Sequence, residues 1–576
     1  EHGLTVSAQA PGIATCLSSD NIQAKGRTDI PMGEFWMTQK DGTIDCKEAS
    51  SAALCYAVPR TDAEAFTGGR AEVYPGMMKP CADAALALGI NQFVVLAYVH
   101  QPWDERKPGV TEPRFYLPYQ RHNTWWEDSV GFWTTLTRSS HLMRQGLPVN
   151  DLLYHLGNDT PLKIATWRMR PAPPAGYDYD VCNDEVLINR ASVRDGRVEL
   201  PDGMSYRVLV LAGGDSMTVS VARKLKQLVQ SGAVVLGPIK PTRSPSLADG
   251  PRGNEEVRRT ADELWGAGAP SGRGEKQTGA GRMLWGCSPA EALISCKALP
   301  DFEAAPIDGR LDVLYAHRTT PAREIYFVAN HRAKPVRIEA TFRVNGRTPR
   351  LWNPQTGYIA APIAWQATAD ERTKVSLLLE AHDSVFVIFD ASPPREILPP
   401  PARSLVHEQP VIQHLDGPWQ VSFSSRWGGP DRIELPALTP WNESLDTGIR
   451  HYSGAAFYRK SFQCPPLPAG QRVTLDLGEV SVLASVKING HDLGVAWKSP
   501  FAFDVTDSLR PGKNELEVRV VNTWTNRLIL DSALPPAQRK TWTTDNPYRA
   551  TDPLARSGLM GPVVLRKLSP SSATGK

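Results

Sequence analysis

Long apolar runs are missing from this 576-residue chain. Nowhere do about eighteen apolar residues follow one another, so no transmembrane helix is expected. Charge of one sign is just as scarce: 64 Lys and Arg face 61 Asp and Glu, a formal net charge of +3. That is too little over this length to argue for nucleic acid or an anionic membrane as partner. The eight cysteines include no CxxC and no paired metal-ligand spacing, so a zinc site is not expected. Cys46 with Cys55, or Cys287 with Cys296, could pair in an oxidising compartment; the other reading is scattered buried thiols. No EF-hand loop, Walker pattern or full GxGxxG is present, and the Gly213-Gly214 pair after "YRVLVLA" reads as a structural turn. The chain opens at Glu1 without an initiator methionine or a signal-peptide pattern, so a processed, trimmed or partial sequence is expected.

What is present is ordinary globular composition, 41% apolar and 22% charged, on a length that predicts roughly three to five domains. Sixteen tryptophans and 49 prolines fit loop-rich β architecture and sugar-facing aromatic surfaces. Residues 1–173 alternate strand and helix patterns. "LTVSAQA" reads as a strand, "CKEASSAALCYAV" as a helix, and "QFVVLAYVHQPW" as a buried strand ending at His100. After "NTWW", a helix places Val130, Trp133, Leu136 and His141 near one face and stops at Gly146, and "DLLYHLGND" begins another strand. Strand, helix, strand implies a parallel sheet with right-handed crossovers, as in a (β/α)8-type barrel, where function gathers in the loops after the strands. His100, Asn158, Asp159 and Glu34 are expected in such loops. Only about four strand candidates are found where a closed barrel needs eight, which predicts either a partial barrel or a smaller open α/β domain.

Residues 174–290 read as a flavodoxin-like α/β domain, with Val219, Ala222, Leu225 and Leu228 on one helical face. Residues 300–392 read as a small β domain, and 393–411 as a proline-rich linker. Residues 412–570 read as a jelly-roll β-sandwich, with Asn489-Gly490 as a hairpin turn. The fold class expected is therefore multidomain α/β plus β.

The stretch "DIPMGEFWM" sets a carboxylate, Glu34, at the end of an apolar run and beside two large aromatics. Partial desolvation there favours the protonated form, which suits a proton donor; the alternative is a solvated loop glutamate next to core aromatics. Trp125 and Trp126 are either a sugar-stacking platform or core, and His100 and His122 either hold hydroxyls or are structural.

In the last block, "LDGPW", "FYRKSF", "VTLDLGEVSVLASVKINGHDLGVAW" and "SGLMGPVVL" resemble the galactose-binding-like sandwich appended to many glycoside hydrolases. Across nearly the whole chain, "DIPMGEFW", "HQPW", "RHNTWW", "LLYHLGND", "GYDYDVCNDEVL" and "GPIKPTRSPSL" fall in the order seen in glycoside hydrolase family 106, the α-L-rhamnosidases. The resemblance implies an inverting acid/base hydrolase of terminal α-L-rhamnosides, secreted or periplasmic, with a calcium ion at the sugar hydroxyls. Glu34 matches the general acid and Glu127 a position near the calcium. The general-base position falls on Asn158, an amide that cannot accept the proton at a useful pKa. Either the adjacent Asp159 is the base, or the chain is an impaired homologue, or the alignment slips by one residue. A glycosidase of another specificity and a non-catalytic carbohydrate-binding protein with a degenerate barrel are the competing functions.

Overall fold

The computed structural model describes residues 3–9, 19–37, 44–112, 119–158, 162, 169–268, 271–307, 310–391 and 405–568. Four parallel strands open the chain: β1 (Ser7–Ala8), β2 (Ile30–Trp36), β3 (Asp62–Thr67) and β4 (Gln92–Val95), paired in sequence order. Helices α1 (Asn21–Gly26), α2 (Ile44–Cys55) and α3 (Pro75–Ala87) follow β1, β2 and β3 in turn. Each βα unit therefore adds its strand beside the previous one. Alternation decides the two faces. Phe35, Ala63 and Ala65 point to the helices and are fully buried, whereas Met32, Glu34 and Trp36 on the other face remain partly exposed.

α2 is built from small residues, IDCKEASSAALC, and is buried on almost every side. It lies between two sheets, so it has no amphipathic stripe to show. Gly33 makes the approach possible: a Cβ there would sit 2.6 Å from the Asp45 carbonyl oxygen of α2. On its far side, Ser51 donates to buried Asp180 at 3.0 Å and Lys47 pairs with Asp178 at 2.8 Å.

The second sheet contains β5 (Leu152–His155), β6 (Tyr179–Cys182), β7 (Val208–Leu211), β8 (Val234–Leu236), β9 (Gly274–Thr278) and β10 (Gly281–Trp285). Its order is β9-β10-β8-β7-β5-β6, with only β9 antiparallel. The parallel strands thus run 2-1-3-4-5, the flavodoxin-like order. "DLLYH" pairs with β6 and β7 rather than with β4, so the division expected at residue 173 falls inside this sheet's chain. Its continuous apolar run fits a strand covered on both faces. Gly213 packs its Cα against Gly157 at the end of β5, a close approach that leaves no room for a side chain.

Two antiparallel sheets follow, closing on a core of Tyr326, Ile338, Phe342, Val387 and Phe389. The strand Leu147–Pro148, from the first block, joins one of them through Arg318 and Thr319. Residues 393–404 of the expected linker lie outside the described residues. The C-terminal unit is a pair of antiparallel sheets over Trp419, Tyr458, Val486 and Val518, with the Asn489-Gly490 hairpin turn at φ 52° and 85°.

Several expectations are corrected. The helix after "NTWW" is α4 (Val130–Met143), and it buries Phe132, Leu136 and Met143, while Val130 is 69% exposed. β4 ends at Val95, five residues before His100. The strand β3 escaped notice because "DAEAFT" alternates acids with small residues rather than showing a long apolar run. The seven described cysteines are free thiols. No helix among the described residues is long and apolar enough to cross a membrane.

Candidate active site

Glu34 stands near the C-terminal end of β2, on the face away from the helices. Its register partner on β3 is Glu64, so two carboxylates sit side by side on one face. β3 then bulges: Phe66 takes φ 65°, and the pairing shifts so that Trp36 lies opposite Thr67. The bulge turns Thr67 back to donate to Glu64 at 2.7 Å, while Gln9 donates to the other Glu64 oxygen at 2.6 Å. Phe66 stacks edge-on against Phe35 at 5.0 Å, so the strained residue is anchored in the core.

Burial raises the Glu34 pKa first, and the negative charges of Glu64 and Asp45 add to the rise. A hydrogen bond with the Trp36 side chain and the charge of Lys25 oppose it less strongly. Lys25 is fully buried; it donates to the Met32 carbonyl at 2.9 Å and pairs with buried Glu48 at 3.5 Å. The Glu34 pKa is thus raised beside a carboxyl group that accepts from two donors. Sequence reasoning missed Glu64 and Asp62, whose signal was the polar–Ala alternation of "DAEA".

The remaining expected residues separate. Trp125 is 1% exposed, donates its indole N–H to the Val73 carbonyl at 3.0 Å, and is core. Trp126 is half-buried against Trp133. His122 is 2% exposed, and its backbone carbonyl accepts from Trp524 at 2.8 Å. Trp125 therefore fills the aromatic-rich junction between units and is not a sugar-stacking platform. His100 is exposed in the chain after β4.

Asn158 donates to Asp184 at the head of α5 (Asp184–Asn189), and Asp184 also meets His155 at 2.8 Å. Asp159 lies outside the described residues. Beyond them, Leu162 exchanges backbone hydrogen bonds with Ser19 and Asn21 at the start of α1, the helix that follows β1. Leu162 is thus held at the N-terminal end of α1.

Glu127 is exposed on the turn Trp126–Asp128, while its neighbour Asp128 pairs with Arg519 of the C-terminal unit at 2.6 Å. Among the described residues no group of three or more His, Cys, Asp or Glu side chains converges to hold a metal ion. A hard cation takes six to eight oxygens, of which Glu127 could supply at most two.

An α-L-rhamnosidase family model, glycoside hydrolase family 106, matches residues 1–366, and a glycosyl hydrolase 2 galactose-binding-like domain matches residues 445–556. The chain belongs to glycoside hydrolase family 106. A solved rhamnosidase from a Novosphingobium species is 33% identical, with a TM-score of 0.84, over 95% of this chain and 52% of that one. A protein of Formosa agariphila named as a putative β-glucuronidase is 24% identical over 95% of this chain and 66% of its own length. The chain thus spans between half and two thirds of the length of these two relatives.

Proposed function

We propose that the protein hydrolyses terminal α-L-rhamnosides of glycans or glycosides, with Glu34 as general acid. In this reading the four-stranded parallel sheet is one wall of a (β/α)8-type barrel, and the C-terminal unit is its jelly-roll accessory domain. The observation that supports the reading is the Glu34–Glu64 pair, in which burial and the neighbouring carboxylate raise the Glu34 pKa at the strand ends. Glu34 would give its proton to the departing glycosidic oxygen as the bond to the anomeric carbon breaks. An inverting enzyme also needs a base about 6.5–9.5 Å from the acid, to take a proton from the attacking water. Asp159, the carboxylate next to Asn158 in the sequence, is proposed for that role. A glycan substrate of this kind fits the secreted or periplasmic location expected from the sequence.

Glu34→Gln should cripple hydrolysis of rhamnosides with poor leaving groups while sparing activated aryl rhamnosides, because only the former need protonation. Equal losses on both would refute the acid assignment. The name carried by the Formosa agariphila relative gives a second reading, a uronide as substrate, and an aryl-glycoside panel that includes glucuronides separates the two. Binding without turnover on that panel would favour a carbohydrate-binding protein.

A further inference from the structure

At the opposite edge of the first sheet, before β3 and β4 begin, a cavity of about 260 Å³ opens where three units meet. Thr61 and Asn91 line it from the strand starts, Ala53 from α2, Met204 from the second unit, and Arg318 from the β domain. Much of the remaining wall is aliphatic, from Leu54, Val58, Met143, Leu147 and Ala316.

The charges along this wall are nearly all answered. Lys47 pairs with Asp178 at 2.8 Å, and Asp202 with Arg190 at 2.5 Å. His317 sits between Asp301 and Glu324 at 3.0 and 3.1 Å. Arg318 is the exception. It is 6% exposed, and its Nε and Nη2 donate to the carbonyls of Gln145 and Gly146, both at 2.7 Å, just beyond the end of α4. That helix end supplies a partial negative charge only. No carboxylate among the described residues pairs with Arg318, and burial alone pulls its guanidinium down to about 10. A guanidinium remains charged at neutral pH even so, and a buried unpaired charge is costly unless something answers it.

We propose that this cavity is a binding site for a small aliphatic monocarboxylate, whose carboxylate pairs with Arg318 and whose chain lies against Leu54, Val58, Met143 and Leu147. One unanswered cation calls for one negative charge, and the aliphatic wall calls for an apolar body. The volume, just below the range of about 300–1,000 Å³ typical of drug-sized ligands, limits the body to a short chain. The site is remote from Glu34 and does not depend on the glycosidase reading.

Titration calorimetry of the full chain with hexanoate, at fixed ionic strength, tests it. A saturable one-site isotherm is expected, with hexanamide binding about tenfold or more weakly for want of the charge-assisted bond. Butanoate should bind more weakly than hexanoate, because less apolar surface is buried. Arg318→Met, checked for folding by circular dichroism, should lose the binding. Absence of saturation, equal binding of acid and amide, or unchanged binding in a folded Arg318→Met would each overturn the proposal. Should Arg318→Met not fold, the acid–amide comparison in the unaltered protein decides alone.

Discussion

Glu34 and Glu64 are neighbours because two parallel strands bring every register pair to within one strand spacing, and their like charges compete. Gln9 and Thr67 both donate to Glu64, while burial and the Glu64 charge raise the Glu34 pKa. Ionised Glu34 is disfavoured by the Glu64 charge, so removing that charge must lower the Glu34 pKa. If the acid form is the active form, activity is lost as pH rises through that pKa. Glu64→Gln should therefore move the alkaline limb of the kcat/KM profile to lower pH while leaving the protein folded. An unmoved limb would mean that Glu64 does not tune Glu34. The base is tested at the same scale. Asp159→Asn should cost about 10²–10⁴-fold, with azide restoring rate and giving inverted product. Asn158→Glu should change little if Asp159 is the base. A large gain from Asn158→Glu would instead identify an impaired enzyme.

At the scale of elements, the site depends on how closely α2 lies on β2. Gly33 permits that approach, and the same glycine sets Glu34 on the open face and Phe35 in the core, which explains the order Gly-Glu-Phe-Trp. Gly33→Ala would push against backbone, which cannot rotate away. A loss of about 1–3 kcal/mol, as for other overpacked cores, is expected in chemical denaturation. The shift of α2 should also carry Asp45 away from Glu34 and so lower the acid's pKa. An alanine variant with unchanged stability would show that the two elements are less tightly packed than described.

At the scale of the whole molecule, the units share cores rather than merely touching. Trp497 and Trp524 come from the C-terminal unit, yet they are buried in one cluster with Phe35, Phe66, Trp125 and Phe132 of the first. Gly131 in α4 leaves room for the Trp497 indole, which meets Phe132 edge-on at 5.4 Å. Trp497→Ala should cost about 3–5 kcal/mol, as for other buried aromatic truncations. Amide hydrogen exchange should then quicken in α4 as well as in the C-terminal unit. Quickening confined to the C-terminal unit would mean that the two are independent.

Local pattern was enough for the elements with a strong period. The helix at 219–230, the β-sandwich strands and the Asn489-Gly490 turn were all legible, because side-chain alternation and backbone φ are properties of a few adjacent residues. The residue order around Glu34 allowed a desolvated acid but did not decide it against a solvated loop glutamate. Tertiary structure alone decided which sheet "DLLYH" joins, since a buried strand carries the same apolar run whichever neighbours it pairs with. It alone buried Trp125 and His122 and set Glu64 beside Glu34. Those outcomes depend on contacts between residues tens to hundreds of positions apart, about which a local pattern is silent.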